Sequence, residues 1–397
     1  MRVCLIGAAH YLDDDRMFHR EATSLSRKYT VDVVVAGAKQ EYTKNGIRII
    51  CLQKRSKAMH VKLLLDMYRH LRSNRYDVVH CFDLDSLVVA FFACGMLSER
   101  PLIVYDAHEH FPSLIARTYF GLQKVLESAL ERLLDAFECF LAASCDGFVV
   151  VNAALSKRFS VFGKPVVEVR NVPSLSWYDS APVLGFLDDV VDPIVIYVGL
   201  MSAKKGFEQT ILTKMILDKL GIKTCFVLVG DVKGAKALEA LKALKGFYPN
   251  LADAGIRFTG YVQYPLLPGI LRKAKIGLAL IQPASLNYVI SQPNKLFAYM
   301  IAGLPVVASD LPGIRDIVSK EKCGILVTPG DPEEAAKAIA ALLQKEELRM
   351  SLGENGRKAI ERELNWEMER QKLFDFYDMI QGRELSSGSL TPDTLSE

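Results

Sequence analysis

Several features are missing from this 397-residue chain, and each absence removes a class of function. None of its eight cysteines (Cys4, Cys51, Cys81, Cys94, Cys139, Cys145, Cys225 and Cys323) forms a C-x-x-C pair, and most sit in apolar runs such as "VCLIG" and "TCFVLVG". They read as buried, reduced thiols of a cytosolic protein. No run of 18 apolar residues occurs, so no helix is expected to span a membrane. The apolar part of "MRVCLIGAAH" is too short for the core of a signal peptide. Neither sign of charge dominates, since 49 Lys+Arg against 46 Asp+Glu leave +3. With no nucleic-acid signature, and no aromatics interleaved with the basic runs, DNA and RNA are not expected partners. There is no G-x-S-x-G elbow, no catalytic-cysteine signature and no Walker A loop, so nothing marks a covalent nucleophile. All seven histidines fall within the first 110 residues.

What is present is a rhythm. The chain is half hydrophobic and long enough for two domains. Short β-branched runs at 2–7, 31–37, 47–52, 77–82, 102–107, 147–152 and 166–171 alternate with helical stretches such as 16–28, 58–73, 86–96 and 119–144. Continuous apolar strands separated by helices indicate a parallel sheet covered on both faces. Residues 172–192, rich in proline and without a clear period, read as a linker. The rhythm then restarts at 194–199, 225–231, 256–262, 276–281, 305–310 and 324–329. The expectation is two doubly wound α/β domains, 1–171 and 193–365. Their ligands should lie beyond the carboxyl ends of the strands. The last residues, "ELSSGSLTPDTLSE" (384–397), are polar and Ser/Thr-rich and read as a disordered tail.

Candidate site residues therefore come from strand-terminal loops. "YVGLMSAKKG" (197–206) follows a strand and opens a helix, with Gly199 for the turn and Lys204 and Lys205 as cations. A helix N-terminus beside lysines suits a diphosphate, and a solvated lysine pair is the alternative. "SQPNKLFAYM" (291–300) offers Asn294 and Lys295 at a second helix start. "YDAHEH" (105–110) puts His108, Glu109 and His110 in a loop. Two histidines two residues apart lack the H-E-x-x-H spacing, so a polar contact to substrate hydroxyls is preferred over a metal. His80 reads as structural or as a supporting partner. "DLD" (83–85) is a weak D-x-D pattern, and "DDD" (13–15) reads as a loop before a helix. Residues 54–75 hold seven Lys/Arg and one acid, with Leu63, Leu64, Met67 and Leu71 as an apolar stripe. That segment fits an anionic membrane surface or, more simply, a covering helix with a solvated face.

Taken together, "DDDRMFHREATSLSRKYTVDVVVAG", "YDVVHCFDLDSL", "VYDAHEHFP", "YVGLMSAKKGFE", "VLVGD", "IRFTGYVQYPLLPGILRKAKIGLALIQP", "PNKLFAYMIAGLPVVASDLPGIRDIV" and "CGILVTPGDPEEAAKAI" give the chain a resemblance to the GT-B glycosyltransferases, specifically the retaining enzymes of family 4. The resemblance covers nearly the whole chain. It implies two Rossmann-like domains facing across a cleft, and a helix over 366–383 crossing back to the first domain. It implies a nucleotide-sugar donor and a glycan or lipid-linked acceptor, without a metal or other cofactor, at a cytosolic or inner-membrane face. Carried over, Lys205, Lys295 and His108 are the catalytic candidates. Gly199, Lys204, Gly230, Gly260, Tyr261, Val262, Asn294 and Ala298 fall on the donor side. His10, Arg16 and Glu109 fall on the acceptor side.

Two positions depart from the family pattern. Leu200 stands where a cation commonly follows the glycine, and Ala298 stands where an acid normally receives the ribose hydroxyls. Hydrogen bonds to a charged group contribute roughly 1.5–3 kcal/mol, so the missing acid lowers donor affinity by about 10- to 150-fold. A non-catalytic GT-B partner and a nucleotide-sugar epimerase are the alternative readings.

Overall fold

The computed structural model describes residues 1–10, 14–53, 60–95, 97, 99–120, 124–182, 185, 187–248 and 250–387. They divide into two compact units, Met1–Asn171 together with the chain from Met368 onward, and Val172–Glu367.

The first unit contains β1 (Arg2–Gly7), β2 (Thr30–Gly37), β3 (Gln40–Lys44), β4 (Ile47–Gln53), β5 (Val78–Cys81), β6 (Leu102–Ala107), β7 (Gly147–Val150) and β8 (Val166–Glu168). They make one sheet in the order β3-β4-β2-β1-β5-β6-β7-β8, with β3 antiparallel to β4. The sequence reading missed β3, a polar edge strand. Its signal was Asn45-Gly46, whose φ values of 53° and 78° supply the turn that a tight hairpin requires. A π-helix (Asp15–Ala22) is followed by α1 (Thr23–Leu25), α2 (His60–Ser73), α3 (Leu84–Cys94), α4 (Phe111–Phe120), α5 (Lys124–Ala142) and α6 (Ala153–Ser160). The expected helix over 16–28 is therefore mostly π-helical, and the one expected over 119–144 is α5, preceded by a separate α4. From β4 to β8 the chain steps in one direction across the sheet. Right-handed crossovers accordingly place α2, α3, α4 and α5 on one face and the π-helix on the other. The stripe Leu63, Met67 and Leu71 is buried, so α2 covers the sheet with the face the sequence offered to a membrane. Lys54, Arg55 and Lys57 lie outside the described residues.

The second unit contains β9 (Ile194–Val198), β10 (Cys225–Val229), β11 (Ile256–Gly260), β12 (Ile276–Ala279), β13 (Val306–Ser309) and β14 (Gly324–Val327), all parallel, in the order β11-β10-β9-β12-β13-β14. Its helices are α7 (Leu175–Asp179), α8 (Phe207–Lys219), α9 (Ala235–Phe247), α10 (Leu267–Leu271), α11 (Leu286–Ile290), α12 (Asn294–Ile301), α13 (Pro312–Glu321), α14 (Pro332–Gln344) and α15 (Glu346–Arg362). The segment read as a linker is folded into this unit, with Val172 and Leu187 in its core. Trp177 stacks on Tyr264 at 4.4 Å.

A last helix, α16 (Trp366–Ser387), belongs to the first unit from Met368 onward. There Tyr377 stacks on Tyr29 and its hydroxyl meets His80 Nδ1 at 2.8 Å. Phe376 fills the space over Gly147, where an added Cβ would lie 2.6 Å from the ring. The helix continues through Ser387, so the first residues read as a disordered tail are helical. Residues 388–397 lie outside the described residues.

Candidate donor site

The strand order of the second unit reverses between β9 and β12, and a crevice opens at such a reversal. Here a side chain widens it. Backbone pairing of β9 with β12 stops at Tyr197↔Leu278. Beyond that point the Tyr299 hydroxyl accepts from Val198 N at 2.9 Å and donates to Leu278 O at 3.0 Å. The ring reaches this place because Gly277 has no side chain, since any Cβ there would lie 2.3 Å from Tyr299 Cγ. One helical turn before Tyr299, Lys295 projects from α12 into the same crevice. Its Nζ lies 3.5 Å from the centroid of the Tyr197 ring. Lys295 is only 8 % exposed, and its ammonium makes no hydrogen bond among the described residues. Burial, followed by the like charge of Lys205, pushes its pKa well down. Two lysines thus act on each other in this crevice, one of them buried on an aromatic face.

The loop after β9 is tied from beneath. The Tyr197 hydroxyl donates to Leu200 O at 3.0 Å and Lys205 O at 3.1 Å. Lys204 and Lys205 share a 3-10 turn, Lys204 exposed and Lys205 half-buried. Gly199 has φ 109° and Gly230 φ 127°, and a Cβ on Gly230 would strike Gly199 O. Both positions therefore require glycine. Gly230 N donates to Gly260 O at 2.9 Å, which joins two of the predicted donor loops. Tyr261 is exposed, whereas Val262 packs against the core. Asn294 is exposed at the first residue of α12, and Pro293 is its N-cap. Ala298 is 7 % exposed and lies in the unit's core. Lys295, Lys205 and Gly199 thus come together, while Tyr197, Tyr299 and Gly277 were missed by sequence reasoning. A hydroxyl-bearing aromatic inside an apolar run was the available signal for both tyrosines.

In the first unit, His10 and His108 lie edge to face, with ring centroids 5.1 Å apart. His10 Nδ1 pairs with Asp14 Oδ2 at 2.9 Å. Burial alone would lower the His10 pKa, but this bond and the neighbouring carboxylates raise it. His108 is half-buried, with Nδ1 3.8 Å from Asp106 Oδ1, and Glu109 is half-buried beside it. His110 caps α4 instead, accepting from Ser113 N at 3.2 Å. Asp83 caps α3 through a reciprocal bond with Ser86, and Asp85 pairs with His60, so the D-x-D acids are structural.

Arg16 corrects the sequence reading. Rather than facing an acceptor, it is buried and donates to both Asp106 oxygens at 2.9 and 3.1 Å and to Val169 O at 3.0 Å. The π-helix, N-capped by Asp14, delivers both Arg16 and Glu21 inward. Glu21, His80 and Asp106 form a buried group of the kind that could ligate a metal. Here the Arg16 guanidinium already supplies the cation. Burial would raise the Asp106 pKa, but Arg16 and the neighbouring histidines lower it. Burial and Asp106 together push the Glu21 pKa well up. His80 is buried neutral, its pKa lowered to about 4.

Residues 16–172 match the model for glycosyltransferase family 4, and residues 192–345 match that for glycosyl transferases group 1. Sucrose-phosphate synthase from Thermosynechococcus elongatus superposes with a TM-score of 0.76 at 17% identity, covering 96% of this chain and 99% of that one. The chain belongs to the GT-B glycosyltransferases and resembles their family 4. Anabaena HepE in complex with UDP-glucose aligns over 96% of this chain and 100% of its own, with a TM-score of 0.68 and 14% identity. Among curated relatives, the sulfoquinovosyl transferase SQD2 of Arabidopsis thaliana is 25% identical over 304 residues, 75% of this chain and 55% of that protein. The chain spans about half the length of the curated relatives it matches first. No helix among the described residues is long and apolar enough to cross a membrane.

Proposed function

We propose that this protein is a metal-independent retaining glycosyltransferase. It would move a hexose-type sugar from a nucleotide-sugar donor to a glycan or lipid-linked acceptor. A UDP-sugar is the favoured donor and a GDP-sugar the alternative. The observation that carries the donor assignment is the buried Lys295 ammonium, held on Tyr197 beside Lys205 without a carboxylate partner among the described residues. HepE, bound to UDP-glucose, shares the fold and so supports the UDP preference.

In this reading the two lysines and the N-terminal amides of α12 neutralise the departing diphosphate. A leaving phosphate oxygen takes the acceptor proton, which removes the need for a dedicated base. His108 contacts the donor sugar. Asn294 lies near the phosphates, and the backbone around Gly260–Val262 borders the base. A second reading, a non-catalytic GT-B partner, is favoured by the apolar side chains at Leu200 and Ala298.

The test is calorimetric titration with UDP, GDP and ADP in the absence of metal. Binding of one nucleotide, lost in Lys295→Met, supports the donor site and identifies its base. Binding only after Ala298→Glu identifies a chain inactivated at that position. Absence of binding in both forms sinks the transferase reading.

A further inference from the structure

The three helices α2, α3 and α5 lie side by side on one face of the first sheet, α2 against α3 and α3 against α5. A covering helix should turn its polar side outward. α5 instead keeps apolar side chains outward as well as inward along most of its length. Val125, Ala129, Leu133, Ala136, Phe137 and Phe140 are spaced at three and four residues and all are exposed, with Val125 at 83 %, Leu133 at 67 % and Phe140 at 63 %. The acids of α5 are turned away toward α4 and α6, where Glu127 pairs with Arg117, and Asp135 and Glu138 pair with Arg158. Among the described side chains of α5, Arg132 is the exposed charge on the outward stripe.

The neighbouring helices extend the patch. Phe91 of α3 meets Phe140 at 5.6 Å, and Phe92 beside it is exposed. On α2 the outward residues are Val61, Leu65 and Tyr68, flanked by the exposed Lys62, Arg69 and Arg72. The acids described at this edge are engaged, Asp66 by Arg69 and Asp85 by His60. The result is a broad apolar and aromatic layer edged with cations.

We propose that this layer docks on an anionic lipid bilayer, with the α5 stripe in the headgroup–acyl boundary and the cations of α2 and Arg132 at the phosphates. Charge selects the occupant. Leu133 lies at the middle of the 19-residue α5, so a two-fold pairing of this helix with a second copy would bring Arg132 against Arg132. No acid of the stripe could offset that repulsion. A bilayer bearing phosphate supplies the missing negative charge across the whole layer. This inference rests on the helix surface alone and is independent of the donor site.

Co-sedimentation of the full chain with phosphatidylcholine vesicles, with and without phosphatidylglycerol, tests it. Binding to the anionic vesicles should exceed binding to the neutral ones by at least about tenfold at low salt and fall as salt rises. Leu133→Ser with Phe140→Ser, both on exposed positions, should weaken it by about 100-fold. Lys62→Ser and Arg132→Ser should each weaken it about fivefold. An unchanged near-UV circular dichroism spectrum checks that each variant is folded. No sedimentation at low salt overturns the proposal, as does sedimentation indifferent to Leu133→Ser/Phe140→Ser. A dimer in sedimentation velocity that dissociates in that variant, without vesicle binding, assigns the layer to a second copy instead.

Discussion

The ammonium of Lys295 sits 3.5 Å above the ring of Tyr197, buried and facing no carboxylate among the described residues. A buried cation of this kind destabilises the protein that holds it. Lys295→Met keeps the volume and removes the charge. Thermal denaturation should show the variant more stable by about 1–3 kcal/mol. The same variant should bind UDP roughly 10- to 150-fold more weakly, because a charge-assisted hydrogen bond is lost. A lysine that merely supported the fold would change stability in the opposite direction.

The lowered Lys295 pKa also couples nucleotide binding to protons. A diphosphate favours the ammonium, so its arrival raises the pKa, and at a pH above the pKa of the unliganded protein it draws a proton from the buffer. Affinity should stay level below the pKa of the unliganded protein and decline as pH rises above it. Calorimetry in buffers of different ionisation enthalpy should show proton uptake. The effect should vanish in Lys295→Met.

Gly277 and Tyr299 form a second coupled pair. Gly277→Ala collides with the ring and should cost about 1–3 kcal/mol in urea denaturation. Tyr299→Phe leaves Val198 N and Leu278 O without their bridge and should cost a similar amount.

Within the first unit, Glu21→Gln and Asp106→Asn should behave differently. Burial and Asp106 push the Glu21 pKa well up against the pull of Arg16, so an amide should be tolerated better there than at Asp106 and stability should change by less than about 1 kcal/mol. Asp106→Asn removes the carboxylate that takes two hydrogen bonds from the buried Arg16, leaving it Glu21 and Val169 O, and should cost about 3–5 kcal/mol. Equal effects in denaturant melts would contradict this division of charge.

Acid should weaken the protein before its carboxylates titrate. His80 and His110 are each lowered to about 4, by burial first and then, for His110, by Arg158. An unfolded histidine titrates near 6.5, so between these values the unfolded chain binds more protons and stability falls as pH drops. For the fully buried His80 the loss amounts to about 3 kcal/mol at most. Denaturant melts at pH 7 and pH 4.5 should reveal it, and His80→Gln should reduce it.

The sheet architecture was legible because strands buried on both faces appear as apolar runs, from "RVCLIG" to "GILVTP". The glycines at 199 and 230 were legible because each ends such a run at a turn. Arg16 was misplaced because a π-helix changes which side chains point inward, and no local pattern announces that register. β3 escaped notice because an exposed edge strand such as "QEYTK" has no apolar face to declare. The wedge of Tyr299 depends on Gly277, 22 positions earlier, a relationship that spacing cannot reveal. The α5 stripe was invisible for a related reason. With an apolar residue on nearly every side of the helix, the sequence cannot say which side the sheet will take.

The bond between His80 and Tyr377 joins residues 297 positions apart inside one unit. During synthesis the strands that surround Glu21, His80 and Asp106 leave the ribosome long before the helix that closes over them. The second unit, contiguous in the chain, can complete itself first. The N-terminal half therefore waits for the C-terminal one, and a stalled or clipped chain ending before Met368 would display its unfinished charged interior to the cell's quality control.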